Sequence, residues 1–148
     1  MMKVAIRRAK SKDVPQLARL IKEYDRYEYK LDPFIKPERN HLRAARNFLK
    51  KGIVFVAEAG TLVGFANGSV FKGGGWKIGS PQNAFMLPKY RGKGIGTKML
   101  RMIIDWCKKR NAQYIISFVH GGNKKALKTW KNRGFKVSGY QIRMKVRR

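Results

Sequence analysis

Acidic side chains are scarce in this chain: 8 Asp and Glu stand against 35 Lys and Arg, a formal net charge of +27 over 148 residues. Cysteine is almost absent. The single Cys107 excludes a disulfide framework within the chain and a multi-cysteine zinc site, and it reads as a small buried hydrophobe. Long apolar runs are missing as well, since stretches such as Ile53–Ala57 fall far short of the roughly 20 residues of a membrane helix. No membrane partner is expected. Lys3, Arg7, Arg8, Lys10, Lys12 and Asp13 crowd the start and leave no apolar core for a secretion signal, so a cytoplasmic protein is expected. There is no internal repeat and no composition shift that would mark a linker, and one domain over residues 1–148 is expected.

What is present is a foldable chain with an uneven field. Hydrophobic residues make up 43%, too many for a disordered polybasic tail. Residues 91–148 hold 17 Lys and Arg with Asp105 as their only acid. A field of that sign concentrates anions, so it fits a phosphorylated cofactor or an RNA or ribonucleoprotein partner.

Apolar periodicity predicts the order of elements. Lys3–Arg8 alternates as a strand, and Ser11 with Pro15 opens a helix buried through Val14, Leu17, Leu20, Ile21 and Tyr24. A second helix runs from after Pro37 to Gly52, with Leu42, Ala45, Phe48 and Leu49 inward. Ile53–Ala59 and Leu62–Phe71 read as a hairpin turning at Gly60-Thr61, Gly73-Gly74-Gly75 as a mobile loop, and Asn83–Leu87 as a short strand. A helix over about Gly94–Arg110, a strand over Gln113–Val119, a helix over Asn123–Arg133 and a last strand within Phe135–Val146 complete a mixed α/β layer structure.

Between strand and helix lies Tyr90-Arg91-Gly92-Lys93-Gly94-Ile95-Gly96-Thr97. Glycines let the backbone bend and approach a ligand, and a helix N-terminus attracts a phosphate. The spelling excludes a Walker loop, because Gly96 is followed by Thr97-Lys98 rather than Lys-Ser/Thr. It also excludes a dinucleotide fingerprint, whose third glycine would stand at Thr97.

Arg91-x-x-Gly94-x-Gly96 resembles the pyrophosphate signature of the GNAT superfamily of acyl-CoA-dependent N-acetyltransferases. Asn123 to Leu127, running through Trp130 to Gly134-Phe135, resembles the same superfamily's second signature at the usual separation. The resemblance covers nearly the whole chain. It implies a single-domain mixed α/β fold with a central, mostly antiparallel sheet flanked by about four helices. It also implies acetyl-CoA as cofactor and a primary amine on a protein, peptide or small molecule as acceptor. On this resemblance the cofactor site comprises Met86, Leu87, Arg91, Gly92, Lys93, Gly94, Ile95, Gly96, Thr97, Asn123, Ala126 and Trp130. Backbone amides from Arg91 to Gly96 would hold the pyrophosphate, and Met86 and Leu87 would pair with the pantetheine arm. Arg91, Lys93 and Lys98 would surround the phosphates. Homodimers are frequent among members, and the last strand is an edge open to pairing.

Many members carry Glu and Asp on the strand before the loop, positions that hold Gln82 and Asn83 here. Neither amide takes a proton at neutral pH. The usual acid is a Tyr at the position of Trp130, whose indole donates a hydrogen bond but is no practical acid. An amine must lose a proton before it attacks, so the sequence points to an atypical or water-mediated proton path, or to a CoA- or nucleic-acid-binding module without catalysis. Glu58, the one acid in the strand-rich middle, is the first substitute base; its plainer reading is a carboxylate paired with a cation. Tyr114, Tyr140 and His120 are secondary candidates, and His41 has no assigned role. Glu23, Asp25, Glu28 and Asp32 form an acidic cluster suited to a cationic amine, or simply a charge-balanced helix face.

Overall fold

The computed structural model describes residues 3–146. Its contacts divide the chain into two compact units, the first ending at Phe118 and the second beginning at Val119.

The first unit is built on one sheet of five strands in the order of the chain: β1 (Ala5–Arg8), β2 (Ile53–Ala59), β3 (Thr61–Gly73), β4 (Trp76–Met86) and β5 (Tyr114–Ile115). All neighbours are antiparallel except β4 and β5, which run parallel. A 3-10 turn (Ser11–Asp13) leads into α1 (Val14–Leu31), followed by α2 (His41–Lys51); α3 (Ile95–Lys109) follows a second 3-10 turn at Pro88–Tyr90.

Strand alternation sorts the apolar side chains onto two faces. Val54, Val56, Phe65 and Phe85 meet Leu17, Leu20 and Ile21 of α1 and Ala45 of α2. Ile53, Ala57, Ala66 and Met86 meet Met99, Ile103 and Cys107 of α3. Cys107 is fully buried, as its composition suggested.

Several expectations are corrected. Ser11 opens the 3-10 turn rather than capping α1, and the carboxylate at this turn is Asp13, which accepts from the Lys10 amide at 2.7 Å. Leu42 stands 44% exposed instead of inward. The glycine run is no loose loop: Gly73 pairs with Trp76 across a two-residue turn in which Gly74 and Gly75 have φ of 58° and 81°. Two positive φ values in succession define the tight hairpin turn that matches strand twist. The strand after it is therefore much longer than Asn83–Leu87, reaching back to Trp76. The strand expected over Gln113–Val119 shrinks to Tyr114–Ile115.

The second unit contains α4 (Lys124–Asn132), with Asn123 as its N-cap and Gly134 at φ 92° just beyond. The strand expected within Phe135–Val146 does not form. Alternation supplies a period, but a strand needs a ladder, and among the described residues this unit has no other strand to provide one. Tyr140, Ile142, Met144 and Val146 are strongly exposed.

Candidate functional site

The glycine loop takes the shape its spelling suggests. Gly92 and Gly94 sit at φ 77° and 76°, in the left-handed region where a side chain is strained. The first bond of α3 runs from the Lys98 amide to the Gly94 carbonyl at 3.0 Å. The amides of Gly94 to Thr97 thus precede the helical ladder and carry the positive end of its dipole. Above Gly92 and Gly94 the space is open, with no atom within 4 Å of where a Cβ would stand. Lys93 and Lys98 are exposed beside it, and no acid occurs between Tyr90 and Leu100.

Arg91 departs from the role expected for it. Its Nε donates to the Met86 carbonyl at 2.8 Å, and its guanidinium lies 5.3 Å from the ring centres of both Tyr27 and Phe85. Its backbone amide donates to Pro88 at 3.2 Å. Arg91 braces the loop against β4 and α1, and the left-handed glycine backbone begins one residue later.

Beside this loop, β4 has a free edge. Its pairing with β5 is confined to Ile78–Tyr114 and Gly79–Ile115, flanked by bonds from Gln113 to Lys77, Ile116 to Gly79, and the Ser117 hydroxyl to Pro81. From Asn83 to Met86 the strand pairs only with β3 among the described residues. Leu87, expected to face the pantetheine arm, is turned inward: its amide donates to Val63 at 2.9 Å and its carbonyl accepts from Tyr90 at 2.9 Å. Because backbone groups alternate sides along a strand, the outward residues are Ala84 and Met86. A Cβ on Gly96 would lie 3.8 Å from Met86 Cγ, so the first turn of α3 stands next to this edge.

Gln82 and Asn83 lie at a register shift, where Asn67 pairs with Asn83 and Gly68 with Pro81, leaving Gln82 as the extra residue. Their side chains belong to a continuous row of hydrogen bonds. Gln82 meets Ser69 Oγ at 3.2 Å and Asn67 at 3.1 Å; Asn67, only 2% exposed, meets Asn83 at 3.0 Å. Asn83 Oδ1 lies 2.9 Å from the Tyr24 hydroxyl, which also contacts Glu28 Oε1. Tyr24 is wedged edge-on against Phe65 and Phe85, and burial with the neighbouring Glu28 pushes its pKa well above that of an ordinary phenol. Sequence reasoning placed Glu28 in an acidic cluster but missed its link to β4. The only local signal was the Tyr24–Glu28 spacing of one helical turn.

The rest of that cluster is engaged elsewhere. Asp25 holds His41 Nε2 at 2.8 Å, tying α1 to the start of α2. Asp32 accepts from the Phe34 amide at 3.0 Å, and Glu23 pairs with Arg26 at 3.1 Å.

Glu58 is not placed to act as a base at this site. It lies on β2, separated from β4 by β3, and accepts from Arg7 Nε at 2.8 Å. The same guanidinium holds both oxygens of Asp13 at 2.7 and 2.8 Å. These bonds keep both carboxyls below their ordinary pKa range, the opposite of what a base near neutrality needs.

In the second unit, Asn123 Oδ1 accepts from the Ala126 amide at 3.1 Å and so caps α4. Trp130 packs edge-on against Phe135, ring centres 4.7 Å apart.

The sequence matches the model of the acetyltransferase (GNAT) family over residues 14–135. No curated protein matches it at a significant level. Among solved structures, it is similar to the aminoglycoside N-acetyltransferase AAC(6')-Iy in complex with the bisubstrate analogue CoA-S-monomethyl-acetylneamine. There the TM-score is 0.73 and the identity 20%, covering 98% of this chain and 99% of that one. A putative acetyl transferase from Pyrococcus furiosus aligns at TM-score 0.76 and 22% identity, over 97% of this chain and all (100%) of the other. The ribosomal-protein-alanine N-acetyltransferase from Brucella melitensis biovar Abortus 2308 aligns at 0.73 and 17%, over 97% and 99%. At these identities the likeness establishes the fold.

Proposed function

The chain belongs to the GNAT acetyltransferase family, and from that premise we propose that it moves an acetyl group from acetyl-CoA to a primary amine. The observation that carries this reading is the left-handed glycine loop at the start of α3, set beside the unpaired edge of β4. The loop offers amides and two lysines to a pyrophosphate, and the edge offers a strand partner to an extended arm.

Bound there, acetyl-CoA would supply the activated thioester. The chain's own part is to hold and orient. Amides from Gly92 to Thr97 would bind the pyrophosphate, with Lys93 and Lys98 offsetting its charge. The outward groups of Ala84 and the Met86 amide would pair with the pantetheine arm, the Met86 carbonyl being held by Arg91. Asn123, Ala126 and Trp130 enter the reading through the second family signature. Gln82 and Asn83 orient by hydrogen bonds but take no proton at neutral pH, so water carries protons in this reading. An acidic peptide or a protein carried on RNA suits the field of residues 91–148 better than a polycation does. The exposed alternation at Tyr140, Ile142, Met144 and Val146 is the natural surface for a homodimer.

Calorimetry with acetyl-CoA at about 0.15 M salt, where surface charges are screened beyond about 8 Å, tests the reading. Stoichiometric binding is expected, with adenosine 3′,5′-bisphosphate, which lacks the arm, binding much more weakly. Gly94→Val, which forces a β-branched residue into the left-handed region, is expected to cost at least tenfold in affinity, about 1.4 kcal/mol. Equal weak binding of both ligands, falling steeply with salt, would instead indicate a polyanion-binding module.

A further inference from the structure

The turn between β3 and β4 lies at the far end of the sheet from the glycine loop and has its own chemistry. Cross-strand partners share a face, so Phe71, Gly73, Trp76, Ile78 and Tyr114 all lie on one side. It is the side away from α3, since a Cβ on the neighbouring Gly79 would meet Cys107. Trp76 and Tyr114 meet edge-on, ring centres 5.0 Å apart. An edge-on pair uses one face of one ring and leaves the other faces open. Accordingly Trp76 is 47% and Tyr114 53% exposed, and Phe71 beside them 48%. Gly73 keeps the corner between Phe71 and Trp76 empty, for a Cβ there would touch Ile78 Cδ1 at 3.3 Å and the Phe71 ring at 3.4 Å. On the other side of the same turn Lys72 and Lys77 stand directly opposite each other. Like charges in that position repel, and no Asp or Glu occurs between Ala59 and Ile104 to offset them. Lys108, Lys109 and Arg110 close α3 at this end, where the Gln113 amide donates to the Lys77 carbonyl at 2.7 Å. Asp105, one helical turn before Lys109, is the only acidic side chain after Ala59.

We propose that the tip of the β3–β4 hairpin binds a single strand of nucleic acid, with Trp76 and Tyr114 stacking on its bases and Lys72 and Lys77 meeting its phosphates. Open ring faces beside uncompensated cations are what such a strand needs, since every base has a π-face and every link a negative charge. A duplex hides its base faces and satisfies only the lysines. A second copy of this chain would bring the same excess of cations against the first, so charge favours a polyanion. Stacking and phosphate pairing are blind to the sugar, and the occupant is therefore defined as a polynucleotide strand. This inference goes beyond the acetyl-transfer reading and does not rest on it. β4 runs 11 residues from Trp76 to Met86, so roughly 30 Å of strand separates this surface from the edge beside the glycine loop.

The test titrates the whole protein with an oligouridylate of about ten nucleotides, followed by tryptophan fluorescence and by anisotropy of a labelled strand. Binding is expected to quench tryptophan emission and to weaken log-linearly with salt. Trp76→Leu should weaken binding at least about fivefold and remove the quench, with the salt slope unchanged. Trp76→Phe keeps a stacking ring, so affinity should stay within about twofold of the wild type while the quench is lost. Lys72→Ala and Lys77→Ala should each flatten the salt slope by about 0.7, one phosphate contact apiece. Sodium polyphosphate, which has no bases, should leave the emission unchanged. A quench that survives Trp76→Phe, an equal quench by polyphosphate, or unchanged affinity in Trp76→Leu would overturn the proposal. So would self-association in sedimentation that Trp76→Leu abolishes, which assigns the face to a second copy. Calorimetry with acetyl-CoA on the same variants keeps the two readings apart. Its affinity should be equal in the wild type and Trp76→Leu, and loss of binding in the wild type would sink the transferase assignment alone.

Discussion

Two carboxylate sites in the first unit solve the same problem in opposite ways. At one, Arg7 reaches Asp13 and Glu58 together and neutralises them with charge-assisted bonds of 2.7 to 2.8 Å. At the other, Glu28 meets the neutral Tyr24, and behind it a file of neutral amides. A carboxylate locked to a guanidinium has one workable protonation state and serves the fold. Glu28 instead works through a hydroxyl, so that its bond to Tyr24 carries α1 onto the amides of β3 and β4. Glu58 seemed the better base by position in the sequence, and its partner rules it out.

The contrast can be broken most forcefully at Arg7. Arg7→Ala leaves Asp13, which is 3% exposed, without its bidentate partner. It is expected to destabilise the protein by about 2–3 kcal/mol, less than a fully enclosed pair because the guanidinium is partly solvated. Thermal melting should fall by several degrees, at about 2–4 °C per kcal/mol for a chain of this size.

Next in size is the acid limb of the stability curve. The folded pKa values of Asp13 and Glu58 are lowered, first by their hydrogen bonds to Arg7. Their contribution is therefore complete above the unfolded carboxyl pKa of about 4 and is lost as pH falls through the lower folded values. Urea midpoints measured against pH should fall on that side in the wild type. In Arg7→Ala the limb should be distinctly flatter.

Tyr24→Phe removes one hydroxyl from the row while keeping the ring against Phe65 and Phe85. A loss of about 1 kcal/mol is expected by urea unfolding, since the facing Asn83 oxygen loses its donor. Glu28→Gln should be the mildest, changing stability by under about 0.5 kcal/mol, because a glutamine amide can either donate to or accept from the Tyr24 hydroxyl. A large loss for Glu28→Gln together with a small one for Arg7→Ala would reverse the comparison.

Much of this was legible beforehand because it is local. Arg91 to Thr97 announced a loop followed by a helix, since glycine spacing and a following amphipathic pattern act over neighbouring residues. The buried faces of α1 and α3 followed from their spacing for the same reason. The length of β4 went beyond the short strand expected at Asn83–Leu87, and its extension carries Gly79 and Pro81, residues uncommon inside a strand. In the fold, Pro81 stands opposite Gly68 beside the bulge, where the ladder is already interrupted. The triple glycine was misread because flexibility and a tight turn share one composition, and only the pairing of Gly73 with Trp76 distinguishes them.

The sequence by itself determined the family, the glycine loop and the replacement of the usual carboxylates by Gln82 and Asn83, because each is a matter of residue identity at short range. It also set the charge imbalance. Tertiary structure alone decided which carboxylate lies near the strand position. Tyr24 and Asn83 are 59 residues apart, and Asn67 and Asn83 16; their meeting depends on α1 packing on the sheet face of Phe65 and Phe85 and on one extra residue shifting a register. Hydrogen-bond direction is finer still, fixed only when every donor in a buried row has found its acceptor.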